Sequence, residues 1–207
     1  MSGRRAEAAR NDTRILEAAR AVFTADPQAP ITAVAKHAGV GISALYSRYG
    51  SKEALVQKIC HDGLAIAVRE TEAALERVRR GDDHWEVFAS FMTAMTDAST
   101  SSMTLALAGT FTPKPEMFTL AQRADKLMTE LFEGIRDVLH PGVVVHDISL
   151  VFELVAAIKI GDAARTRELR HRYLAVILDG LRYQAGAELP GPPPRWQELS
   201  ERWRPRG

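Results

Sequence analysis

Apolar positions in the first forty residues recur at the spacing of amphipathic helices, and glycine or proline separates the stretches. Two apolar stripes are predicted to belong to successive helices and consist of Ile15, Ala19, Val22 and Phe23, then of Ile31, Val34, Ala35 and Ala38. Residues 26–30 contain two prolines and therefore separate the helices. Gly39 follows the second stripe, where helices commonly end in a left-handed residue that glycine adopts at little steric cost.

A third helix is predicted to begin near Gly41, with Leu45 and Tyr49 four residues apart on its inner face. Its outer face carries mostly small or polar residues, namely Gly41, Ile42, Ser43, Ala44, Ser47 and Arg48. Short side chains let a helix approach base edges closely, and the positive end of its dipole favours nearby phosphates. The two helices and their tight turn therefore predict a helix-turn-helix whose second helix enters a major groove.

The same glycines allow a second interpretation. Gly39, Gly41 and Ala44 match the dinucleotide-binding fingerprint, and Asp62 lies near the expected distance downstream. That fingerprint requires a buried strand directly before the first glycine, whereas residues 32–38 follow a helical period and include Lys36 and His37. The helix-turn-helix is therefore favoured over a nucleotide site.

From Ser51 onward the pattern stays helical almost throughout. One long helix is predicted from Ser51 towards Gly81, and further helices are predicted around residues 85–95, 103–111, 120–138, 148–160 and 166–182. The only β-like run, residues 143–145, is too short to form a sheet. Residues 189–194 contain four prolines and predict an extended tail, with a final turn after Arg195. The predicted fold class is all-α.

Composition and charge are those of an ordinary globular chain of 207 residues with a net charge of +1. Neither a membrane-length apolar run nor a signal-peptide pattern is present, and the single cysteine, Cys60, forms no internal disulfide. These features favour a cytoplasmic protein with no membrane partner, in which Cys60 is buried. The charge is asymmetric, because residues 1–60 hold nine Lys and Arg against five Asp and Glu. This excess suits a phosphate-contacting module, although a solvated charged face would give similar counts.

Arg4, Arg5 and Arg10 precede the first predicted helix, for which Asn11 or Asp12 is the expected cap. The arginines are interpreted either as a short basic arm that touches DNA or as a frayed terminus.

Several spaced motifs resemble the N-terminal domain of the tetracycline-repressor (TetR) family. They span roughly residues 12–58 and consist of Ile15 to Phe23, Ala38-Gly39-Val40, Leu45-Tyr46 with Tyr49, and Ser51 to Leu55. The resemblance implies a helix-turn-helix dimer that represses transcription at a palindromic DNA operator until a small-molecule effector binds the C-terminal domain. It also implies three regions: a DNA-binding domain (1–50), a long connecting helix with an effector-binding and dimerisation domain (51–184), and a proline-rich tail (185–207).

The resemblance adds residues to the predicted DNA interface. Tyr46 and Lys52 match phosphate-contacting positions of the family, and Thr32 is expected near the phosphate that helix 2 approaches. Two positions depart from the family pattern, since Pro30 and Gly41 stand where hydroxyl caps are common. Proline donates no hydrogen bond, so the phosphate contact at the start of helix 2 is in doubt.

The family resemblance also implies an apolar effector pocket, for which methionine and aromatic side chains are candidates because they adapt to varied ligands. The candidate residues are Phe88, Met92, Met95, Met103, Phe111, Met128 and Phe152. Core packing alone explains such residues more often than a ligand pocket does. Family members pair their last two long helices across a two-fold axis, so a homodimer patch is predicted at Leu169, Tyr173, Val176 and Ile177.

Catalytic and metal-binding patterns were sought as alternatives. The six histidines are scattered, and the sequence contains neither a zinc-ligand spacing nor a nucleophile elbow nor a phosphate loop. No cofactor, metal or enzymatic activity is predicted, and Glu153 is the one carboxylate expected inside an apolar helix. Three classes remain: a ligand-responsive repressor, which is favoured; a regulator of the same fold controlled by a protein partner; and a helical enzyme or carrier with a vestigial N-terminal domain.

Overall fold

The computed structural model describes residues 2–98, 107, 110–182 and 189–201, with the backbone alone for residues 2–9 and 199–200. Within these ranges the helices are α1 (Ser2–Ala25), α2 (Ile31–Ala38), α3 (Ile42–Tyr49), α4 (Lys52–Arg79), α5 (His84–Ala98), α6 (Pro115–Gly134), α7 (Val145–Ala156), α8 (Ala163–Leu181) and α9 (Trp196–Ser200), with a 3-10 turn at Arg136–Val138. Extended pairing in the described part is limited to an isolated bridge between Leu139 and Arg182. The all-α prediction is confirmed.

The first helix is longer than predicted. It begins at Ser2 rather than near Asn11 or Asp12, and it therefore includes the backbone of the predicted basic arm. Residues 4–10 are arginine, alanine and glutamate, which are strong helix formers and extend the helix backwards. Asp12 caps nothing and instead receives bonds from the side chains of Arg48 and Tyr49.

The ends of α2, α3 and α4 follow from local chemistry. Gly39 ends α2 in the left-handed conformation (φ 64°), as predicted. Pro30 and Gly41 occupy the N-cap positions of α2 and α3 in extended conformation, and neither supplies a side-chain cap. Ser51 does cap α4, because its Oγ accepts a 3.0 Å hydrogen bond from the Ala54 amide.

The hydrophobic residues form two clusters, and α4 contributes to both. The N-terminal core joins α1, α2 and α3 to the first turns of α4, where Leu55, Ile59 and Cys60 are fully buried. The C-terminal core joins Ala74 and Leu75 of α4 to α5, α6, α7 and α8. A continuous 28-residue helix therefore links the two cores without a flexible segment.

The last helices begin earlier than the periodicity indicated. Helix α7 starts at Val145, where the Asp147 carboxylate accepts from the Val144 amide at 2.8 Å. Helix α8 starts at Ala163, where the Asp162 carboxylate accepts from the Arg165 amide at 2.8 Å. Acidic side chains thus satisfy amide groups at the starts of both helices, which lie before the apolar stripes that predicted them. No helix of the described chain is long and apolar enough to cross a bilayer.

Candidate nucleic-acid interface

The outer face of α3 is exposed, and a buried side chain on its inner face packs the helix against the N-terminal core. Leu45 is fully buried in the N-terminal core, and Tyr49 packs against the same core. The exposed residues of the helix and its N-cap are Gly41, Ser43, Ala44, Tyr46, Ser47 and Arg48. Ile42 is half-buried and packs against the core, so only part of its side chain is available to a partner. The structure thus brings all the predicted α3 residues to one short helix.

An arginine of α1 holds the turn between α2 and α3. The Arg14 Nη2 donates a 2.6 Å hydrogen bond to the Ala38 carbonyl, at the end of α2 where carbonyl groups lack helical partners. A Cβ atom added to Gly39 would lie 2.9 Å from this Nη2, and the positive φ would strain any other residue. Gly39 is therefore required by its own conformation, whereas the end of the flexible Arg14 side chain could shift to admit a Cβ atom.

Asp12 of α1 bonds to two residues of α3 through one carboxylate oxygen. Its Oδ1 accepts a 3.0 Å bond from Arg48 Nε and a second bond from the Tyr49 hydroxyl. The Arg48 hydrogen bond holds the pKa of the Asp12 carboxyl below its usual value. Burial, followed by the bond to Asp12, raises the pKa of Tyr49 far above its usual value, so its hydroxyl stays a donor at neutral pH.

The two predicted residues outside α3 differ in their surroundings. Thr32 is exposed in the first turn of α2, close to the positive end of that helix. Lys52 is half-buried, its Nζ donates to the Pro27 carbonyl at 3.3 Å, and it lies 5.3 Å from the Phe23 ring centroid. An ammonium group has three donors, so the bond to Pro27 leaves two for a phosphate.

The structure brings together five of the predicted effector residues and separates another. Phe88, Met92, Met95 and Phe152 are buried in the C-terminal core, and Met128 packs against it. Phe111 lies elsewhere, because it is buried with Leu107 and Met117 in the N-terminal core. Met103 lies outside the described residues.

The predicted dimer residues are divided between surface and core. Tyr173 and Val176 on α8 are 49% and 61% exposed, and Leu154 on α7 is 64% exposed. Ile177 packs against the C-terminal core, and Leu169 is half-buried. The dimer residues predicted from the sequence did not include Leu154. The signal that could have identified it is that its helix is apolar nearly all round.

Arg14 and Asp12 were likewise missed as parts of the interface. Each bonds to residues 24 to 37 positions away, which no local pattern reveals.

Other reactive groups do not form a site in the described part of the chain. No group of three or more His, Cys, Asp and Glu lies close enough there to hold a metal ion. Cys60 is fully buried as predicted, and burial raises the pKa of its thiol to about 12. Glu153 is half-buried on α7.

Residues 15–59 match the model of the family described as bacterial regulatory proteins, tetR family. No curated protein matches the sequence. Among solved structures, LfrR, a TetR-like transcriptional regulator from Mycobacterium smegmatis in complex with proflavine, has a TM-score of 0.61 at 17% identity, covering 87% of this chain and 99% of its own. The ketosteroid transcriptional regulator KstR2 of Mycobacterium tuberculosis has a TM-score of 0.56 at 17% identity, covering 89% and 97%.

A TetR transcription regulatory protein from Mycobacterium vanbaalenii has a TM-score of 0.52 at 24% identity, covering 86% of this chain and 98% of its own. At these identities the likenesses establish the fold, and the match over α1 to α4 establishes the N-terminal domain. Residues 15–59 thus match the N-terminal domain of the tetR family, and the chain shares the fold of solved TetR-family regulators.

Proposed function

We propose that the protein is a cytoplasmic repressor that binds a palindromic operator as a homodimer and leaves it when a small, mostly apolar ligand binds. The observation that carries the proposal is the exposed face of α3, whose side chains are small or polar while Leu45 is fully buried beneath them. Such a helix can enter a major groove, where short side chains reach base edges and the N-terminal turn approaches phosphates.

In this proposal residues 1–50 form the DNA-binding domain, residues 51–184 the effector-binding and dimerisation domain, and residues 185–207 the tail. The first turns of α4 complete the core of the DNA-binding domain, and its last turns enter the other core. A movement of the C-terminal helices would therefore change the direction of α4 and, with it, the position of α3.

Dimerisation is supported by exposed apolar side chains on the last two long helices. Leu154 on α7 and Tyr173 and Val176 on α8 are about half exposed or more in the single chain. A two-fold axis beside these helices would bury the three residues against their counterparts. Two recognition helices then read half-sites separated by about 34–36 Å, one turn of DNA.

The predicted effector residues of the C-terminal core are closely packed in the single chain. Phe88, Met92 and Phe152 are at most 5% exposed, so a ligand can enter among them only if α5 and α7 move apart. A ligand that favours the separated arrangement must weaken operator binding by the same factor, typically about 5- to 150-fold. The complex of LfrR with proflavine and the description of KstR2 as a ketosteroid regulator support a small-molecule effector.

DNA binding is tested by selecting duplexes from a random pool with the full-length protein and measuring their affinity. Lys52→Ala should weaken binding to all duplexes alike and reduce the salt slope by about one, whereas Ile42→Ala should change the preferred sequence. Lys126→Ala, an exposed lysine on α6, is the matched control and should change neither. Failure of the wild-type protein to enrich any sequence would refute the proposal.

The effector is tested by a thermal-shift screen of small apolar compounds, followed by titration of each hit against the operator complex. We expect operator affinity to fall at saturating ligand. If stabilising ligands leave the operator affinity unchanged, they are not effectors, and DNA binding is controlled by another signal, such as a protein partner.

A further inference from the structure

We propose that Asp12 is a positioning residue for DNA recognition: it binds the Nε atom of Arg48 and so aims the two Nη amino groups at a pair of neighbouring acceptor atoms on the operator. The O6 and N7 atoms of a guanine edge form such a pair, and this is the contact that the proposal assigns to Arg48. The inference rests on the proposed DNA binding and assigns to that function a residue of α1.

Asp12 restrains Arg48 at the guanidinium nitrogen that is nearest the main chain. Arg48 lies in the last turn of α3, and its side chain is 56% exposed, whereas that of Asp12 is 23% exposed. Only Nε, the guanidinium nitrogen nearest the main chain, donates to Asp12, at 3.0 Å. The guanidinium has five N–H donors, and the four on the two Nη atoms lie beyond Nε on its outer edge. The carboxylate therefore restrains the plane of the group and leaves its fork for another acceptor.

Tyr49 makes this arrangement more than a mobile surface ion pair. Exposed ion pairs contribute little because two long side chains must be held in one geometry. Here the Tyr49 hydroxyl donates to the same Oδ1, and Tyr49 also packs against the N-terminal core. The carboxylate is thus held in place before Arg48 binds it, so less rotamer freedom is lost when the arginine adopts its orientation.

The direction in which DNA affinity changes when Asp12 is removed distinguishes a positioning role from a simple charge effect. A carboxylate beside a DNA-facing helix repels phosphates, so its removal should tighten binding to every duplex if charge alone matters. If Asp12 orients Arg48 for a contact at a defined place, its removal should weaken binding to the selected duplex more than to a scrambled one. The ratio of the two affinities is therefore the decisive quantity.

The experiment measures both affinities by fluorescence anisotropy, using a duplex selected by the wild-type protein and a scrambled duplex of equal composition. The variants are Asp12→Ala, Asp12→Asn, Arg48→Ala and the double variant Asp12→Ala with Arg48→Ala. Tyr49→Phe removes the second bond to the carboxylate. Glu72→Ala is the matched control, since it removes an exposed carboxylate that pairs with Arg123 on α6. Circular dichroism and thermal melting verify that each variant is folded.

We expect Arg48→Ala to lower affinity for the selected duplex about 5- to 150-fold, the range of one bidentate contact. Asp12→Ala should reduce the ratio of selected to scrambled affinity at least about threefold when Arg48 is present. When Arg48 has been replaced by alanine, the same substitution should change the ratio little, because the two residues act together. Asp12→Asn keeps an acceptor for Nε and should lie between wild type and Asp12→Ala. Tyr49→Phe should reduce the ratio by less than Asp12→Ala, and Glu72→Ala should leave it unchanged.

Three results would overturn the inference: an unchanged ratio in Asp12→Ala, tighter binding to both duplexes by one factor, or an equal loss with and without Arg48. If the wild-type protein selects no sequence, the proposed function itself fails, which is a distinguishable outcome. Reselection with Arg48→Ala identifies the acceptor. Loss of a guanine preference in each half-site would support the contact to a base edge, whereas an unchanged motif with a smaller salt slope would place Arg48 on phosphate and would also overturn the inference.

Discussion

The Lys159 ammonium donates a hydrogen bond to the Thr24 carbonyl, although the two residues are 135 positions apart. The bond joins the α7–α8 loop to the last turn of α1, where carbonyl groups have no helical partners. It is a direct link between the helices proposed for dimerisation and the DNA-binding domain.

We predict that Lys159→Ala loosens the end of α1. Amide hydrogen exchange of residues 25–29 should become faster because a local restraint is lost, while exchange in α3 changes little. Mass spectrometry of exchanged peptides measures this. Lys126→Ala removes an exposed lysine elsewhere and should leave the exchange unaltered; equal effects of the two substitutions would mean that the Thr24 bond restrains nothing.

A second prediction concerns the pH dependence of the Asp12 contacts. The pKa of Asp12 is lower in the folded state than its usual value, so its stabilisation is fully present above the unfolded pKa of about 3.9 and declines as the pH falls through the folded value. Because the carboxyl is partly solvated, Asp12→Asn should cost about 1 kcal/mol or less at neutral pH. Urea titrations should show this difference shrinking below about pH 4. A difference independent of pH would exclude the charged form as its source.

Phe111 is predicted to stabilise the N-terminal core. It is 7% exposed there, and Phe111→Ala should lower the free energy of unfolding by about 3 kcal/mol because it leaves a cavity. Phe118→Ala is the matched control, since Phe118 is 54% exposed and its loss should cost about 0.5 kcal/mol or less. Chemical denaturation measures both. Similar values for the two phenylalanines would contradict the burial of Phe111.

Cys60 is predicted to resist alkylation in the folded protein. Its thiol is fully buried and its pKa is raised to about 12, so almost no reactive thiolate exists at neutral pH. Mass spectrometry after iodoacetamide treatment should detect the adduct only when denaturant is added. Rapid labelling of the native protein would mean that the first turns of α4 open readily.

The proposed dimer predicts that Val176→Arg yields a monomer. Val176 is 61% exposed in the single chain, and an arginine there would face its own copy across the two-fold axis. Gln122→Arg introduces the same charge on the exposed face of α6 and should leave the dimer intact. Sedimentation equilibrium compares the two; a dimeric Val176→Arg protein would remove this patch from the interface.

The sequence alone determined the elements whose causes are local. The stripes of α1 and α2, the left-handed Gly39 and the Ser51 cap depend on residues within about four positions of one another, which is the range of helical contacts. For the same reason α3 and most of its exposed face could be predicted, although Ile42 proved to be half-buried. The family resemblance rested on these same local features, so it reached no further than the start of α4.

Only the tertiary structure decided which distant residues meet. Phe111 and Met92 are both apolar and are both predicted from the sequence to line an effector pocket, yet they lie in different cores. Asp12 had the sequence signal of a helix cap, but strong helix formers extended α1 past it and freed its carboxylate for Arg48 and Tyr49. Burial and long-range hydrogen bonds depend on how helices pack, and helical periodicity specifies which face of a helix is buried but not which neighbour buries it.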